Sequence, residues 1–417
     1  MIKHLLAYGQ SDQGSFRDQR VARCFDTMTV PGTIASYFED ATAAFVLTLG
    51  KPYMIDPRTP LFQDSLATPR ASHYTLAAWH GEAVAARIQS GEPFPADFYT
   101  TAVVDELVAE VVERQRNYGT KASGVAPKMN RYLRLLAEAR GQTIPDGALD
   151  TGPAPESVLL PYFAVDDLES TWWSVMKSVW RAAAQLPNPY DLHPVICVGG
   201  SGQSMTDDIN LLDRVLQERP ANLSPHLFFW VTNFEERSAD ESSLRRLWEV
   251  VQAHKIAGVN LANLYGGFFS VCLGLAGLEA FGNGLGYSES RRWPALDATG
   301  AAPARYYLGD LHTFVSLATA AQLTRLVPQF QCKCEVCERC RREGRAIVAM
   351  NYAELKAHFA LTRAWEIELT DTEGGSGVAT HLRQVHATYR AADLPYGIRA
   401  NVEYLLRWAS VLEHFGT

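Results

Sequence analysis

Residues 194–202 read Pro-Val-Ile-Cys-Val-Gly-Gly-Ser-Gly, an apolar run that opens directly into glycines. A short apolar run bounded by such turn residues predicts a buried β-strand. The same order recurs on both sides of this stretch, with strands predicted at 158–165, 227–231, 256–264 and 285–291. Helices are predicted between them at 171–185, 242–254 and 269–279. This alternation is typical of parallel βα units, which build either a (β/α)8 barrel or an open doubly wound sheet.

Upstream of this region the pattern is less regular. Residues 53–57 read Tyr-Met-Ile-Asp-Pro and predict a buried strand that ends in the carboxylate of Asp56. Residues 100–116 carry apolar side chains at helical spacing and predict a helix. Residues 1–40 show no clear period and are interpreted as a lead-in segment, whereas 141–155, rich in Gly, Pro and Asp, predict a loop.

The composition limits the class of protein. With 417 residues, of which 47% are hydrophobic, the chain is long enough for one large barrel with an insert or for two ordinary domains. The net charge of −8 argues against a protein that coats nucleic acid over its whole surface. No apolar run approaches the roughly 18 residues of a membrane span, and residues 1–6 lack the apolar core of a signal peptide. Together with seven mostly clustered cysteines, these features predict a cytoplasmic protein.

Four of the seven cysteines, Cys332, Cys334, Cys337 and Cys340, fall within one short segment. Thiolates at such spacing converge on one tetrahedral metal ion without straining the backbone. We therefore predict a structural Zn²⁺ site with Cys332, Cys334 and Cys337 as ligands. The fourth ligand is expected to be His358 on a following helix, and Cys340 is the alternative. A cluster of reduced surface cysteines without metal is the non-functional interpretation.

The pattern C-x-C-x2-C at 332–337, followed by Leu355-Lys356-Ala357-His358-Phe359, resembles the zinc signature of the tRNA-guanine transglycosylases. The resemblance leans toward the branch of this superfamily that inserts 7-deazaguanine bases into DNA. It implies a (β/α)8 TIM barrel over 1–325, followed by a zinc-binding subdomain and C-terminal helices over 326–417. It also implies exchange of guanine in nucleic acid, DNA favoured over tRNA, for a 7-deazaguanine base. A homodimer and a partner subunit are further interactions that the resemblance allows.

The resemblance also assigns residues to binding the base. Asp56 stands at the position of a family aspartate that recognises the base and handles its protons. Asp166 stands where another family aspartate forms hydrogen bonds with the edge of the purine. Two carboxylate oxygens suit the adjacent N–H donors of guanine. Gly199, Gly200 and Gln203 lie where the family has a glycine-rich turn with a base-contacting glutamine. From the residues alone, ordinary turns and helix caps at strand ends are the alternatives.

In this family the base is exchanged through a covalent glycosyl-enzyme, which requires an ionised carboxylate beside the anomeric carbon of the sugar. On the predicted strand 285–291 the carboxylate is Glu289, and Asp297 is the alternative nucleophile. A chain with neither in place is expected to be an inactive barrel that binds nucleic acid or a partner protein. Residues 333–345 hold five Lys or Arg side chains and predict a phosphate-contacting patch. An unrelated zinc-dependent hydrolase is disfavoured because four protein ligands leave no open position on the metal.

Overall fold

Eight parallel strands form the central sheet of the computed structural model, which describes residues 1–64, 66, 68–120, 154–200, 203–232, 234–286, 289–291, 303–399 and 401–415. The strands are β1 (Lys3–Ala7), β2 (Thr27–Pro31), β3 (Tyr53–Asp56), β5 (Ala164–Val165), β7 (Val195–Val198), β8 (His226–Val231), β9 (Asn260–Asn263) and β10 (Ala280–Gly284). Two short strands, β4 (Val158–Leu159) and β6 (Leu192–His193), form a separate parallel pair. The order across the main sheet is β3-β2-β1-β10-β9-β8-β7-β5.

The main sheet is curled into a half-barrel, and its strands are buried on both faces. Every residue of β3 and of β7 is buried, as expected for parallel strands covered by helices. The edge strand β3 has a further neighbour, because Met54 forms a parallel bridge with Ser157, just before β4. Next to it, the Glu156 N–H donates to the Tyr53 carbonyl at 2.7 Å. The prediction of a parallel α/β architecture is therefore confirmed.

Helices follow most strands and cover the sheet. They are α1 (Gln13–Arg17), α2 (Gln19–Ala22), α3 (Gly32–Tyr37), α4 (Glu39–Leu49), α5 (Ala71–Trp79), α6 (Glu82–Ser90), α7 (Thr101–Arg116), α8 (Thr171–Ala183), α9 (Met205–Gln217), α10 (Glu241–Ile256), α11 (Phe268–Cys272), α12 (Leu317–Leu326), α13 (Glu335–Arg342), α14 (Tyr352–Ala391) and α15 (Glu403–Phe415). The predicted helices at 100–116, 171–185 and 242–254 are confirmed as α7, α8 and α10.

Local capping explains where several of these helices begin. The Ser170 hydroxyl accepts from the Trp173 N–H at the start of α8, and the Asp240 carboxylate accepts from the Ser243 N–H at the start of α10. Side-chain oxygens at this position satisfy backbone donors that the helix itself leaves unpaired. In α14, Asn351 and Glu354 form a reciprocal capping box, so the helix that carries His358 has a firmly fixed first turn.

The C-terminal part packs against the sheet. A short antiparallel hairpin, β11 (Arg305–Leu308) with β12 (Thr313–Ser316), precedes α12. α14 consists of two helices joined at Gly374, where φ is 63°. α15 packs on α14 and α10, and the rings of Phe415 and Trp248 stack with centroids 5.5 Å apart. Both helices reach the segments that follow the strands, because Arg363 of α14 pairs with Glu289 and Nε1 of Trp408 in α15 donates to the Glu236 carbonyl at 3.2 Å.

Several sequence predictions were wrong. Residues 158–165 do not form one strand, because they divide into β4 of the separate pair and β5 of the main sheet. Residues 1–40 are not a lead-in segment, because they supply β1 and β2, and β1 lies between β2 and β10 in the sheet. Residues 285–291 do not form a strand where they are described, since the strand is β10 at Ala280–Gly284. The predicted helix 269–279 ends at Cys272 and continues as a short 3₁₀ turn to Ala276. The elements β1, β2, β10 and α11 are each only five residues long, too short for hydrophobic periodicity to define.

Among the described residues, no helix has both the length and the apolar character required to cross a membrane.

Candidate metal centre and active site

Three cysteines and one histidine converge beside the β11–β12 hairpin. The ligand atoms of Cys332, Cys334, Cys337 and His358 all lie within 4.8 Å of one another. The sulfurs of Cys334 and Cys337 are each 3.4 Å from Nδ1 of His358. A tetrahedral zinc ion with ordinary Zn–S and Zn–N bonds sets its donors about 3.6–3.8 Å apart. The group, which we call the metal centre, therefore has the dimensions of a Cys3His zinc site.

Neighbouring groups orient the ligands of the metal centre. Nε2 of His358 donates to the Tyr307 carbonyl at 2.7 Å, which leaves Nδ1 as the bare nitrogen facing the sulfurs. The Tyr306 ring stacks on His358 with centroids 4.1 Å apart, and its hydroxyl lies 3.1 Å from Sγ of Cys337. This outer shell fits a metal ligand, because a histidine that binds metal through one nitrogen needs a partner for the other.

Cys340 lies outside this group. Its sulfur is 3.3 Å from Nη2 of Arg345 and 4.0 Å from Oε1 of Glu354. The expectation that His358, rather than Cys340, joins the three thiols is therefore confirmed by the geometry.

The basic segment 333–345 divides into paired and unpaired charges. Arg345 and Arg339 contact the Glu354 carboxylate at 2.5 Å and 3.1 Å, and the hydrogen bond from Arg345 lowers the pKa of Glu354 to about 2. Arg341 and Arg342 are exposed and have no ion-pair partner among the described residues. Arg325, Arg341 and Arg345 line a cleft of about 300 Å³ beside the metal centre. Since Arg345 is already paired with glutamates, Arg325 and Arg341 supply the positive charge that this cleft offers to a ligand.

Asp56 ends β3 and is buried in a polar network. Its Oδ1 accepts from the Arg58 N–H at 3.0 Å and from the Tyr162 hydroxyl at 2.8 Å. Its Oδ2 contacts Nε of Arg58 at 2.6 Å and the Tyr265 hydroxyl at 3.4 Å. Three hydrogen bonds and the ion pair with Arg58 thus engage both oxygens of this carboxylate. Asp56 therefore contacts a base only if one of these partners moves away.

The network around Asp56 reaches the segment that carries Glu289. Nη1 of Arg291 donates to the Tyr265 hydroxyl at 3.2 Å, and the guanidinium lies 5.4 Å from the centre of the Tyr265 ring. The carbonyl of Arg291 accepts from Nε1 of Trp230 at 3.2 Å. Tyr265 and Arg291 thus connect the ends of β3, β9 and β10.

Glu289 lies in a second buried cluster, which we call the acid pocket. It lines a cavity of about 200 Å³ together with Glu236, Arg237, Gly267, His312 and Trp408. Its carboxylate pairs with Arg363, whose other nitrogen Nη1 lies 2.6 Å from Oε2 of Glu366. Burial raises the pKa of Glu289 to about 7, against the attraction of Arg363. Near neutral pH both protonation states of this carboxyl group are therefore populated.

Glu236 was not identified from the sequence. Its carboxylate accepts from the backbone N–H groups of Gly267, Phe269 and Ser270 at 2.9, 2.8 and 3.0 Å, so it fixes the first turn of α11. A Cβ on Gly267 would lie 2.8 Å from Oε2 of Glu236 and 3.5 Å from Cδ of Glu289. Gly267 therefore allows the two acids to approach each other, and the Gly266-Gly267 pair at the end of β9 was the sequence signal for it.

The remaining predicted site residues gather at the ends of β5 and β7. Nε2 of Gln203 donates to the Asp166 carbonyl at 3.0 Å, and a Cβ on Gly200 would lie 3.1 Å from Cβ of Asp166. Gly199 has a φ of 123°, which only glycine adopts readily. Asp166 and Gln203 are exposed, with their side chains open to solvent.

The structure groups the predicted site residues into separate sets. Within the described part of the chain, no hydrogen bond joins Asp166 or Gln203 to Asp56 or Glu289. Asp297, the alternative nucleophile, lies outside the described residues.

Asp208 and Thr232 were also missed. Both are buried next to Gly199, and Oδ1 of Asp208 and Oγ1 of Thr232 make no hydrogen bond among the described residues. Burial raises the pKa of Asp208 to about 6. Their position on α9 and at the end of β8 gave no signal in the sequence, since both resemble ordinary capping and strand-end residues.

Comparison of the chain with protein-family models and with curated protein sequences gives no significant match. The function is therefore inferred from the site and from the resemblance of its cysteine pattern.

Proposed function

We propose that this protein is a zinc-containing base-exchange enzyme that replaces guanine in nucleic acid with a 7-deazaguanine base. The observation that carries the proposal is the acid pocket, where a buried carboxylate lines a cavity at the carboxyl ends of parallel strands. Glu236, Gly267 and Glu289 follow β8, β9 and β10 in turn. Catalytic groups of parallel α/β barrels are found at this edge of the sheet.

In the proposed reaction Glu289 is the nucleophile. Its carboxylate attacks C1′ of the nucleoside sugar and forms an ester bond while the bond from C1′ to guanine breaks. The departing guanine takes up a proton, and the incoming base gives one up when it attacks C1′ and releases Glu289. The Arg363 guanidinium supports this role because it stabilises the ionised form of Glu289 in a buried site.

We propose Zn²⁺ as the ion at the metal centre, held by Cys332, Cys334, Cys337 and His358. Four protein ligands make its role structural, since a closed tetrahedral site has no position for substrate. Bound there, the ion would connect residues 332–337, which lead into α13, to His358 of α14. The spacing of the four donor atoms and the hydrogen bond from His358 to the Tyr307 carbonyl support this assignment.

Nucleic acid is the proposed partner, with DNA favoured over tRNA. The support is the cleft beside the metal centre, where Arg325 and Arg341 are exposed and have no ion-pair partner among the described residues. Unpaired arginines on an acidic protein mark a local phosphate site. Following the resemblance, we assign contacts with the incoming and departing bases to Asp166, Gly199, Gly200 and Gln203, and to Asp56 once one of its hydrogen-bond partners moves away. A homodimer and a partner subunit stay proposals.

We also propose that the half-barrel is part of a complete (β/α)8 barrel. The parallel bridge between Met54 and Ser157 supports this, since it gives the edge strand β3 a neighbour on its outer side. Residues 1–325 then form the barrel and 326–417 the zinc-binding subdomain.

The test is release of guanine. The purified full-length protein is incubated with DNA or with tRNA that carries radiolabelled guanine, in the presence of a 7-deazaguanine base. We expect label to leave one of the two substrates, and Glu289→Gln to abolish the release. Glu249→Gln, an exposed carboxylate on α10, serves as the matched control and is expected to keep it. A covalent adduct mapped by proteolysis to any residue other than Glu289 or Asp297 would refute the assignment of the nucleophile.

A second function is favoured by one observation. The carboxylate of Asp56 is engaged by Arg58, Tyr162 and Tyr265 and not free to contact a base, which fits a barrel that has lost its chemistry. Such a protein would bind nucleic acid or a partner protein without exchanging a base. Retained binding of DNA or tRNA, with neither guanine release nor a covalent adduct, would select this function over the enzymatic one.

A further inference from the structure

The helix α14 carries both a metal ligand and part of the acid pocket. His358, Arg363 and Glu366 lie on this helix, and each is 0% exposed. His358 faces the metal centre, whereas Arg363 pairs with Glu289 on one side and with Glu366 on the other. A fully buried guanidinium is costly unless carboxylates neutralise it, so these pairs fix the position of Arg363.

Tyr307 of β11 forms a second connection between the two sites. Its carbonyl accepts from Nε2 of His358 at 2.7 Å, and its hydroxyl donates to Oε1 of Glu366 at 2.8 Å. Nδ1 of His312 contacts the same Glu366 oxygen at 2.6 Å. Tyr307 contacts His358 through its backbone carbonyl and Glu366 through its side chain. A shift of His358 therefore moves Tyr307, which orients Glu366, and Glu366 in turn pairs with Arg363.

We propose that Arg363 is the positioning residue of Glu289 and that the metal centre holds Arg363 in place through His358 and Tyr307. The role of Glu289 as nucleophile rests on the proposed function, whereas the contacts that carry this inference do not. An ion bound in the metal centre would then keep Arg363, the counter-ion of Glu289, in place.

Arg363 is the cation that dominates the surroundings of Glu289. The charged groups near this carboxylate are Arg363 and Arg237, with Glu236 and Glu366 as like charges. Arg237 has 36% of its side chain exposed and is bonded to Glu235 at 2.7 Å, so solvent and a competing carboxylate weaken its effect. The titratable groups packed around the pocket are Tyr307, His312 and Tyr404. Loss of Arg363 therefore leaves three carboxylates facing one another without a buried counter-charge.

The experiment measures the titration of Glu289 in the full-length, zinc-loaded protein. Glutamate labelled with ¹³C at the side-chain carboxyl group reports each titration by NMR, and the signal missing in Glu289→Gln identifies this residue. We expect Arg363→Met to raise the midpoint of Glu289 by about 1–3 pH units, and Arg363→Lys to raise it less, since a lysine keeps the charge but not the fork. Arg383→Met, in an exposed ion pair on the same helix, is the control and is expected to leave the midpoint unchanged.

The contribution of the metal centre is tested with His358→Cys. This variant keeps four donors for zinc but removes the hydrogen bond to the Tyr307 carbonyl. With zinc content confirmed by metal analysis, we expect the Glu289 midpoint to rise by about half a pH unit or more. If Arg363→Met does not fold, Arg363→Lys and Tyr307→Phe decide the question, because each removes only part of the network.

An unchanged Glu289 midpoint in Arg363→Lys, Tyr307→Phe and His358→Cys would overturn the inference. The expected shifts in a protein that releases no guanine would instead support the inference and count against the proposed enzymatic function.

Discussion

The metal centre and the acid pocket are both buried and polar, but the chain assembles them in different ways. The ligands of the metal centre lie between Cys332 and His358, so their spacing in the sequence is enough to bring them together. The acid pocket joins Glu236, Glu289 and Arg363 from two strand ends and a C-terminal helix. Short spacing therefore reveals the first site, whereas the second exists only once the sheet has curled.

The two sites also differ in how their charges are balanced. The three thiols and the bare nitrogen of His358 need a cation from outside the chain. The acid pocket contains its own cation, because Arg363 lies between Glu289 and Glu366. We therefore expect the stability of the metal centre to depend on a bound metal ion, and that of the acid pocket to depend on pH.

The largest expected effect is loss of the metal centre. Cys337→Ser removes one of four ligands, and we expect the protein to lose its zinc and about 5 kcal/mol or more of unfolding free energy, because metal binding is coupled to folding. Metal analysis and thermal unfolding measure this. Cys340→Ala, a buried cysteine outside the ligand set, is the control and is expected to retain zinc. Release of zinc from Cys340→Ala but not from His358→Ala would show an all-thiolate site instead.

The second-largest expected effect is a pH dependence of the free energy of unfolding that comes from the titration of Glu289. This pKa is about 7 in the folded protein against 4.5 for the unperturbed group, so the folded state binds more protons than the unfolded state between these values. Stability conferred by the protonated carboxyl group is thus present at low pH and lost as the pH rises through about 7. Between about pH 5 and pH 8 we expect the loss to be on the order of 2 kcal/mol.

Glu289→Gln removes this titration, and urea unfolding across the pH range compares the two proteins. We expect the free energy of unfolding of Glu289→Gln to fall less with rising pH than that of the unsubstituted protein. Parallel pH profiles for the two proteins would show that Glu289 titrates normally in the folded state.

The smallest effect on the fold is expected for two exposed arginines, Arg341, which lines the cleft beside the metal centre, and its neighbour Arg342. The double charge reversal Arg341→Glu and Arg342→Glu should change stability by less than about 0.5 kcal/mol, because both side chains are exposed. Binding to DNA or tRNA should weaken, and its salt dependence should flatten by roughly one phosphate contact per arginine. Binding curves at several salt concentrations measure this. The control is the double variant Lys177→Glu and Arg214→Glu, at two exposed positions that do not line the cleft. Equal losses in both pairs would indicate a general charge effect.

Much of the fold was predictable where the elements are long or strongly patterned. The helices α7, α8 and α10 and the strands β3, β7 and β8 were found because apolar residues recur at the right spacing or in uninterrupted runs. β1 and β10 were missed, although they pair with each other in the middle of the sheet. β10 reads Ala-Phe-Gly-Asn-Gly, and such a run carries too little hydrophobic signal to be recognised alone.

The candidate site divides in the same way. Glu289 was found as an isolated carboxylate, but its partners Glu236, Arg363 and Glu366 were not, because their importance depends on contacts across distant segments. Asp56 was found as a strand-end acid, and only the structure shows that Arg58, Tyr162 and Tyr265 occupy its oxygens. The DNA or tRNA substrate and the division near residue 325 stay predictions.

The sequence by itself determined the parallel α/β character and the three cysteines Cys332, Cys334 and Cys337 of the metal centre, and it left His358 and Cys340 as alternatives for the fourth ligand. Both follow from local rules, namely hydrophobic runs between turn residues and donors spaced closely enough to meet around one ion. Only the tertiary structure decided which strand lies beside which, which acids share a pocket and which arginine neutralises them. The physical reason is that burial and charge pairing act through space, so that a fully buried Arg363 acquires its meaning only from the carboxylates that folding places around it.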